Sequence, residues 1–438
     1  MKLRIALINP WIYDFAAVNL WSRPLGLLRV AEYLSQFDID LSLIDCMDMF
    51  NNKNYGKGKY PKVMIDKPAC IRGVPRNFGR YGISVDDFRD TLIKNSPFDM
   101  VFMTSIMSYW YPGVRKAVEV IRSVSNVSNV SNDMPIVLGG IYATLWHRHA
   151  SEKSGADFIY KGHISDNIKF VLNTFGFRIK KRNPKTPYHR LSLYKYYPFA
   201  PVLTSAGCPY KCAYCSSNLL NKGFTQRDPQ KVIDEIKELY DIGVRDFVFY
   251  DDALLVNSDS HIKIILKEVM KQAPDMRFRC PNGLHARSID DELAYLMKGS
   301  GFRTLRLGLE TVDTGRQIQT GGKVSSEELI NAVDILKRRG FTRNNIGVYL
   351  MYGLPGQSFQ EVKGGVEFLK SLDVSIYLAE FSPIPGTECW SELISKGIIS
   401  NDIDPLLTNN TVFSYLFSGY DIDELEKIKL DVKGYNNS

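Results

Sequence analysis

Three cysteines in one short loop are the residues of this chain whose spacing most clearly indicates chemistry. Cys208, Cys212 and Cys215 follow the spacing C-x3-C-x2-C within the segment GCPYKCAYC. Cysteine thiolates are the usual ligands of iron–sulfur clusters, and close spacing lets one loop surround one cluster. Because a [4Fe–4S] cluster contains four irons, three thiolates would leave one iron open to bind and activate a small molecule.

Zinc is the alternative metal for such a loop. Structural zinc normally takes four protein ligands, and no histidine or cysteine follows within forty residues of Cys215. The spacing therefore favours a cluster. The remaining cysteines, Cys46, Cys70, Cys280 and Cys389, are scattered along the chain. We expect them to be buried packing residues rather than ligands of a second cluster.

Polar side chains follow several predicted strands downstream of the cysteines. Asp251 and Asp252 end one strand, Asn282 ends the next, and Glu310 ends the strand after that. In a parallel barrel the carboxyl ends of the strands meet at one rim, where enzymes of this architecture build their sites. An Asp-Asp pair alone is more often a helix cap or a turn, so the prediction of a shared site depends on the repetition.

The strands that would position these residues belong to a repeating β/α series. Each is a nearly continuous apolar run, which is typical of parallel strands, and amphipathic helices separate them. The six predicted strands are 201–206, 246–251, 277–282, 304–309, 346–351 and 377–382. This series predicts a partial (β/α)6 TIM-type barrel over residues 198–395. Residues 396–438 form a short C-terminal tail without a readable motif.

An earlier α/β series occupies residues 1–170. Strands alternating with helices imply an α/β domain with a doubly wound, Rossmann-like parallel sheet. The predicted strands are 3–8, 40–45, 100–105, 135–140 and 156–162, with helices over 25–36 and 112–123. A basic insertion without clear periodicity (51–90) interrupts the series, and a polar, Pro-containing linker (171–197) follows it.

The cysteine segment resembles the signature loop of the radical S-adenosylmethionine (SAM) superfamily, including the aromatic Tyr214 just before the third cysteine. The resemblance spans about residues 200–390. It implies a [4Fe–4S] cluster whose open iron is chelated by the amino and carboxylate groups of SAM. It also implies cleavage of SAM to methionine and a 5′-deoxyadenosyl radical that abstracts a hydrogen atom from a substrate.

The same resemblance implies roles for the polar residues at the strand ends. Tyr214 would lie beside the adenine of SAM, and Asp251, Asp252, Asn282 and Glu310 would also contact SAM. A small-molecule substrate is expected, together with an electron donor such as ferredoxin or flavodoxin.

The first α/β series resembles the cobalamin (B12)-binding domain that precedes the barrel in one radical SAM class. Thr104 and Ser105 end its third strand, and Gly139 and Gly140 end its fourth; in that domain such loops surround the nucleotide tail of the cofactor. Small residues suit a bulky group that inserts between strand ends. Many cobalamin domains carry D-x-H-x-x-G after the first strand, but here no histidine precedes His147. The resemblance therefore implies cobalamin without that histidine ligand, and the alternative is a domain that keeps the fold and has lost the cofactor.

Together the two resemblances imply cobalamin-dependent radical C-methylation of an unactivated carbon. Methylcobalamin would deliver the methyl group to a substrate radical, and a second SAM would remethylate the cobalamin.

A radical SAM oxidoreductase, cyclase or rearrangement enzyme that transfers no methyl group is the first alternative. An RNA-binding or RNA-modifying protein and a structural iron–sulfur protein are alternatives of other classes. Because basic inserts without interleaved aromatic residues are usually solvated loops, we expect no nucleic-acid partner.

Composition limits the remaining classes. With 45% hydrophobic residues in 438, the chain is not disordered as a whole, and its formal charge of +7 is a mild basic excess. The apolar run near the start ends at Pro10 and is too short for a signal peptide. No stretch approaches the ~20 apolar residues that span a bilayer. We therefore expect a cytoplasmic protein with reduced cysteines.

Overall fold

The computed structural model describes residues 2–48, 58–125, 134–163, 167–181, 191–272 and 275–438. The chain divides into two compact units. The first unit comprises Met1–Tyr197 with Asp404–Leu407, and the second comprises Pro198–Ile403 with Thr408–Ser438. Residues 51–57 of the predicted insertion and residues 182–190 of the predicted linker lie outside the described ranges.

The first unit contains strands separated by helices. Its strands are β1 (Leu3–Asn9), β2 (Ile12–Asp14), β3 (Ile39–Asp45), β4 (Lys62–Met64), β5 (Gly79–Tyr81), β6 (Met100–Ser105), β7 (Ile136–Gly140) and β8 (Phe158–Ile159). Its helices are α1 (Leu25–Leu34), α2 (Val85–Asn95), α3 (Tyr111–Ser125), α4 (Ile141–Leu145), α5 (His147–Lys153) and α6 (Ile168–Thr174).

Five of these strands form a fully parallel sheet in the order β3-β1-β6-β7-β8. Apolar residues of β1 such as Ile5 and Leu7 are fully buried and pack against Leu27 of α1 and Phe102 of β6. The prediction of a doubly wound parallel sheet is confirmed. In a sheet of this order the direction of winding reverses between β1 and β6, which places a ligand crevice outside their carboxyl ends.

The segment predicted as an insertion contributes to a small antiparallel sheet in the order β2-β5-β4. Its strands are three residues long, which is too short for hydrophobic periodicity to show in the sequence. Tyr81 of β5 is buried with Tyr60 and Met47 in a local core. Helix α2 then begins with a capping box between Ser84 and Asp87.

The residues predicted as a linker begin inside a helix. Helix α6 extends to Thr174, and its Val171 and Leu172 are fully buried in the core of the first unit. Further along, the Tyr194 hydroxyl donates a 2.7 Å hydrogen bond to Asp45 Oδ2 at the end of β3. The Arg23 guanidinium lies 3.6 Å from the centre of the Tyr194 ring, so this part of the segment is tied to the sheet edge.

The second unit begins with β9 (Ala200–Val202) and continues the alternation of strands and helices. Its other strands are β10 (Ser205–Ala206), β11 (Thr225–Gln226), β12 (Asp246–Phe249), β13 (Arg277–Arg279), β14 (Phe302–Glu310), β15 (Ile346–Tyr352) and β16 (Ser375–Glu380). Its helices are α7 (Ser217–Leu220), α8 (Pro229–Asp241), α9 (Ile262–Gln272), α10 (Asp291–Gly299), α11 (Thr314–Gln319), α12 (Ser326–Arg338), α13 (Phe359–Ser371), α14 (Glu388–Ser395), α15 (Asn410–Leu416) and α16 (Ile422–Asn437).

Six strands form a parallel sheet in the order β16-β15-β14-β13-β12-β9. The predicted α/β series of parallel strands is confirmed, and among the described residues no pairing joins β9 to β16 to close a barrel. The sheet buries stacked aromatic rings against its helices, with Phe249 and Phe302 both packed on Phe278 at centroid distances of 5.3 and 5.5 Å. In helix α8, Asp228 accepts hydrogen bonds from the first-turn amides, and Pro229 occupies the first position.

The first predicted barrel strand, 201–206, is divided in the structure. The backbone amides of Thr204 and Ser205 donate to the Asp251 carboxylate instead of to a neighbouring strand. The ladder therefore stops at Val202, and residues 205–206 pair with β11 in a separate two-stranded sheet. None of the helices in the described part of the chain combines the length and apolar composition that crossing a bilayer requires.

Candidate functional site

The cysteine loop follows β10 and is shaped by glycine. Gly207 has φ +77°, and a Cβ at this position would lie 2.1 Å from the carbonyl oxygen of Gly223, so the turn requires glycine. The amide of Cys215 donates to the carbonyl of Cys212 at 3.0 Å. Cys208 is buried, Cys212 is half-buried and Cys215 is exposed, so the three thiols lie on a loop that reaches from the interior to the surface.

Two later segments hold this loop from behind. The amide of Ala213 donates to Thr320 O at 3.1 Å, and the amide of Cys389 donates to Ala213 O at 3.0 Å. Gly321 has φ +111°, and a Cβ there would lie 2.7 Å from the carbonyl oxygen of Lys211. The turn after α11 therefore packs directly on the backbone between the first two cysteines.

The electrostatics of the loop disfavour ionised thiolates in the absence of a bound cluster. Burial raises the pKa of all three thiols, to about 11 for Cys212. Negative charge on one sulfur would raise the pKa of another, whereas the Lys323 ammonium lowers the pKa of each. Within the described ranges no three His, Cys, Asp or Glu side chains converge on a single metal ion. A cluster does not need such convergence, because each cysteine binds a different iron.

Lys323 and Glu310 form an ion pair beside the cysteines. Their Nζ and Oε1 atoms are 3.4 Å apart, and both side chains are largely buried. Burial by itself lowers the pKa of Lys323, but Glu310 and the neighbouring cysteines raise it above its ordinary value. A Cβ at Gly308 would lie 2.7 Å from Glu310 Oε1 and 2.8 Å from Lys323 Nζ. Glycine at this position therefore makes room for the pair.

His285 lies at the same rim with an unused polar atom. Its side chain is buried, with 2% of the residue exposed, and Nδ1 has no hydrogen-bond partner among the described residues. Its ring centre is 4.5 Å from that of Tyr210 in the cysteine loop. Burial, together with the charges of Lys323 and Arg287, lowers the pKa of His285 to about 3. The imidazole is therefore neutral at physiological pH.

The aromatic residue of the loop, Tyr214, is also close to the sulfurs. A hydrogen bond links its side chain to that of Cys212, and burial followed by the charge of Glu310 raises its pKa well above the ordinary value. The phenol therefore stays protonated. Its position joins the cysteine loop to the ion pair of Lys323 and Glu310.

The remaining predicted SAM residues lie at adjacent strand ends, with their side chains engaged by the protein. Asp251 is 2% exposed and accepts four donors, the amides and hydroxyls of Thr204 and Ser205. Asp252 accepts a 2.5 Å hydrogen bond from Ser217 Oγ. The Asn282 amide donates to the carbonyl oxygens of Tyr250 and Asp251. These contacts tie β12, β13 and the cysteine loop into one rim.

In the first unit, the four residues predicted around cobalamin lie side by side at the carboxyl edge of the sheet. Thr104 pairs with Gly139, and Ser105 pairs with Gly140. Gly140 has φ +91°, and a Cβ there would lie 2.7 Å from Thr104 Oγ1, whereas a Cβ at Gly139 would meet nothing within 4 Å. At the end of β1, Asn9 donates to Asp45 Oδ1 at 2.7 Å. The part of the edge formed by β6 and β7 is thus lined by small and uncharged residues, with open space at Gly139.

Comparison with known proteins decides the class of the second unit. Residues 202–369 match the Radical SAM superfamily. The chain carries a radical SAM domain. The match begins six residues before Cys208 and ends within α13, so it contains the cysteine loop, Glu310 and Lys323.

Two of the relatives have methyltransferase names. An uncharacterized methyltransferase of Pyrococcus horikoshii is 28% identical over 207 residues, covering 46% of this chain and 43% of the relative. An uncharacterized methyltransferase of Synechocystis is 31% identical over 302 residues, covering 64% of this chain and 55% of the relative. The chain thus spans about half the length of these curated relatives.

The fold is also that of a known radical SAM structure. The methyltransferase TsrM from Kitasatospora setae, solved with its tryptophan substrate and a SAM analogue, superposes with a TM-score of 0.66 at 17% identity. The superposition covers 92% of this chain and 79% of TsrM. At this identity the likeness establishes the fold, including the α/β unit that precedes the radical SAM domain.

Two residues of the radical SAM rim were not predicted from the sequence. Lys323 follows a Gly-Gly pair, which is typical of an exposed turn, and His285 follows a loop without periodicity. The expectation that the scattered cysteines are buried holds for Cys46, Cys280 and Cys389 and is wrong for Cys70, which is exposed. Cys70 lies in a single 3₁₀ turn in which the neighbouring Ile71, and not Cys70, is buried.

Proposed function

We propose that this chain is a cobalamin-dependent radical SAM enzyme that methylates an unactivated carbon of a small-molecule substrate. The observation that carries the proposal is the pairing of two rims in one chain. One bears three cysteines beside a buried ion pair, and the other carries small residues at the carboxyl ends of β6 and β7, next to the switch point of a doubly wound sheet. When bound, the cluster would supply the electron that cleaves SAM to methionine and a 5′-deoxyadenosyl radical, and cobalamin would carry the methyl group.

The cysteine loop supplies the ligands. Cys208, Cys212 and Cys215 would hold a [4Fe–4S] cluster and leave its fourth iron for SAM. The Lys323 ammonium lowers the pKa of all three thiols, which favours the thiolates that a cluster requires. The buried Nδ1 of His285, without a partner among the described residues, supports a ligand at this rim because buried polar atoms are normally hydrogen-bonded.

The ion pair complements the charges of SAM. The methionine part of SAM carries a carboxylate and an amino group, which would chelate the open iron, and a sulfonium. We assign the carboxylate to Lys323 and the amino N–H groups and the sulfonium to Glu310, since opposite charges attract strongly in a partly buried site and a carboxylate is a strong hydrogen-bond acceptor. Because Asp251 and Asn282 already bond to backbone and hydroxyl groups, we assign them to holding the rim in place. Asp252 keeps an exposed carboxylate beside the loop.

Cobalamin would occupy the edge of the first unit. The open space at Gly139 and the hydroxyl groups of Thr104 and Ser105, beside Gly140, suit the nucleotide tail of the cofactor. The loop after β1 contains no histidine, so the cobalt would have no histidine ligand from that loop. An electron donor such as ferredoxin or flavodoxin would reduce the cluster, and the reducing conditions that this chemistry needs support a cytoplasmic location.

The test uses protein purified and reconstituted without oxygen. We expect about four irons in the cluster of each chain, one cobalt, and an electron paramagnetic resonance signal that changes when SAM is added. With methyl-labelled SAM and small-molecule extracts, label should appear in a product together with deoxyadenosine. Deoxyadenosine formed without labelled product would favour radical SAM chemistry without methyl transfer. Zinc in the loop, or a cluster signal that SAM leaves unchanged, would contradict the proposal.

A further inference from the structure

The radical SAM sheet has two different faces. The face with Phe278 and Phe302 is fully buried against helices. On the other face of β14, Arg306 and Gly308 are two residues apart. The strand is irregular between Gly308 and Glu310, and the Glu310 side chain lies beside Gly308, where a Cβ would be 2.7 Å from Glu310 Oε1. Pairing places Gly308 beside Tyr349 and Tyr349 beside Tyr377. This face, which we call the inner face, is half-buried and leads along β14 toward Glu310.

Arg306 is held across the inner face by aromatic residues. Its Nη2 donates a 2.6 Å hydrogen bond to the Tyr377 hydroxyl, and its guanidinium carbon lies 4.0 Å from the centre of that ring. Nη1 donates to Leu305 O at 3.1 Å. A Cβ at Gly347 would lie 2.8 Å from Nη1 and 2.5 Å from the Tyr377 ring. Glycine on the neighbouring strand therefore leaves room for the guanidinium to lie flat.

This cation has no anion opposite it. Within the described ranges no carboxylate lies within ion-pair distance of Arg306. The other cations of the inner face are paired: Arg277 and Arg279 with Asp246, and Lys323 with Glu310. The two hydrogen bonds of Arg306 use two of the five N–H donors of a guanidinium. A half-buried arginine with donors to spare is arranged to receive an oxyanion.

We propose that Arg306, with Tyr349 and Tyr377 beside it, binds a carboxylate or phosphate group of the substrate. This inference rests on the proposed function, because it uses the same radical SAM site. The Tyr349 hydroxyl donates a 2.6 Å hydrogen bond to Pro281 O. This bond fixes the position of the Tyr349 ring, which would border the bound group. Arg306 precedes Glu310 by four positions on β14, whose pairing shifts register between Gly308 and Glu310, so their Cα atoms are at most about 13 Å apart. The substrate is therefore an anion long enough to bring a carbon to SAM while its charged end stays at Arg306.

The experiment measures binding of three probes to reconstituted enzyme with saturating SAM, which occupies the Lys323 site. The probes are phenylacetate, phenyl phosphate and the neutral phenylacetamide. We expect at least one of the two anions to bind at least tenfold more tightly than the amide. Arg306→Gln should weaken that anion at least tenfold, and Arg306→Lys should weaken it less because it keeps the charge and loses the planar fork.

Arg303→Gln is the matched control, since Arg303 is an exposed arginine on the same strand, and it should leave anion binding unchanged. Comparison of the affinities for phenylacetate and phenyl phosphate identifies which oxyanion the site prefers. Equal binding of anions and amide, no binding of either anion, or an unchanged affinity in Arg306→Gln would overturn the inference. Because iron content and the SAM-dependent spectrum are recorded on the same samples, failure of the anion site is distinguishable from failure of the radical SAM proposal.

Discussion

At the rim of the radical SAM unit the important side chains carry charge or sulfur and engage one another, whereas at the rim of the first unit they are small and neutral. Lys323 faces Glu310 beside three cysteines in the former. In the latter, Thr104 and Ser105 border Gly139 and Gly140. Both rims lie at the carboxyl ends of parallel strands, so the same architecture presents two kinds of surface.

This difference predicts how each rim would select a ligand. A rim built from paired charges is costly to alter on one side only, because the remaining partner stays buried without compensation. A rim built from glycine and hydroxyl groups selects by leaving space, and it is altered by adding bulk. Substitutions should therefore affect the two rims differently. In the radical SAM unit they should act by removing a charge or a ligand, and in the first unit by filling the space that a ligand would occupy.

The largest effect is expected from the cysteine loop. Cys212→Ser removes one of three thiolate ligands, so iron should fall from about four to below about one per chain, and deoxyadenosine formation should be lost. Cys70→Ser is the control, because Cys70 is an exposed cysteine outside the loop, and it should keep full iron. Iron analysis and deoxyadenosine chromatography provide the measurement. A Cys212→Ser protein with a complete SAM-responsive cluster would show that this loop is not the ligand set.

Breaking the ion pair should give the next largest effect. Lys323→Gln leaves the Glu310 carboxylate buried without its cation, which should lower the free energy of unfolding by about 3 kcal/mol. It should also weaken SAM at least tenfold, about 1.4 kcal/mol. Urea unfolding and equilibrium dialysis measure the two quantities.

Two further variants separate stability from binding. The double variant Lys323→Gln with Glu310→Gln should recover most of the stability without recovering SAM affinity. Lys267→Gln is the control, because its ion pair with Glu292 at 2.7 Å is exposed and should contribute below about 1 kcal/mol. Full SAM affinity in the double variant would remove the pair from the SAM site.

His285 gives the radical SAM unit a dependence of stability on pH. Its folded pKa of about 3 lies below its ordinary value of 6.5. The unfolded chain therefore binds more protons between these values, so this contribution is present above pH 6.5 and is lost as the pH falls toward 3. Between pH 7 and pH 5 the loss should be about 2 kcal/mol.

The measurement compares urea unfolding of the cluster-free protein at these two pH values. His285→Gln should lose about 2 kcal/mol less than the unsubstituted chain over this interval. The exposed residue His147 provides the control, since His147→Gln should follow the unsubstituted chain. Identical pH dependence in all three proteins would show that His285 is not a buried neutral imidazole.

The sequence predicts regular elements better than the contacts between them. Strand β6 matches the predicted range 100–105, because it is a clear apolar pattern. The predicted strand 201–206 is broken by Asp251, which lies far along the chain, so no local pattern could show the break. The predicted strand 156–162 shortens to Phe158–Ile159.

The same distinction applies to the candidate sites. The cysteines are recognisable as candidate ligands because the spacing typical of thiolate ligands is local in the sequence. Lys323 acquires its role only when folding brings it to Glu310 and the loop. Arg306 similarly depends on Gly347 and Tyr377 of neighbouring strands. Burial of a charge by distant residues leaves no periodic signal in the sequence around it.

The smallest effect is expected from a substitution that fills the open space at the rim of the first unit. A Cβ at Gly139 meets nothing within 4 Å, so Gly139→Leu should fold normally and place its side chain in the crevice. Hydroxocobalamin, titrated by its visible spectrum, should then bind at least tenfold more weakly, about 1.4 kcal/mol. Gly26→Leu, also in open space, should bind it normally. Unchanged cobalamin affinity in Gly139→Leu would mean that selection by volume does not operate at this rim.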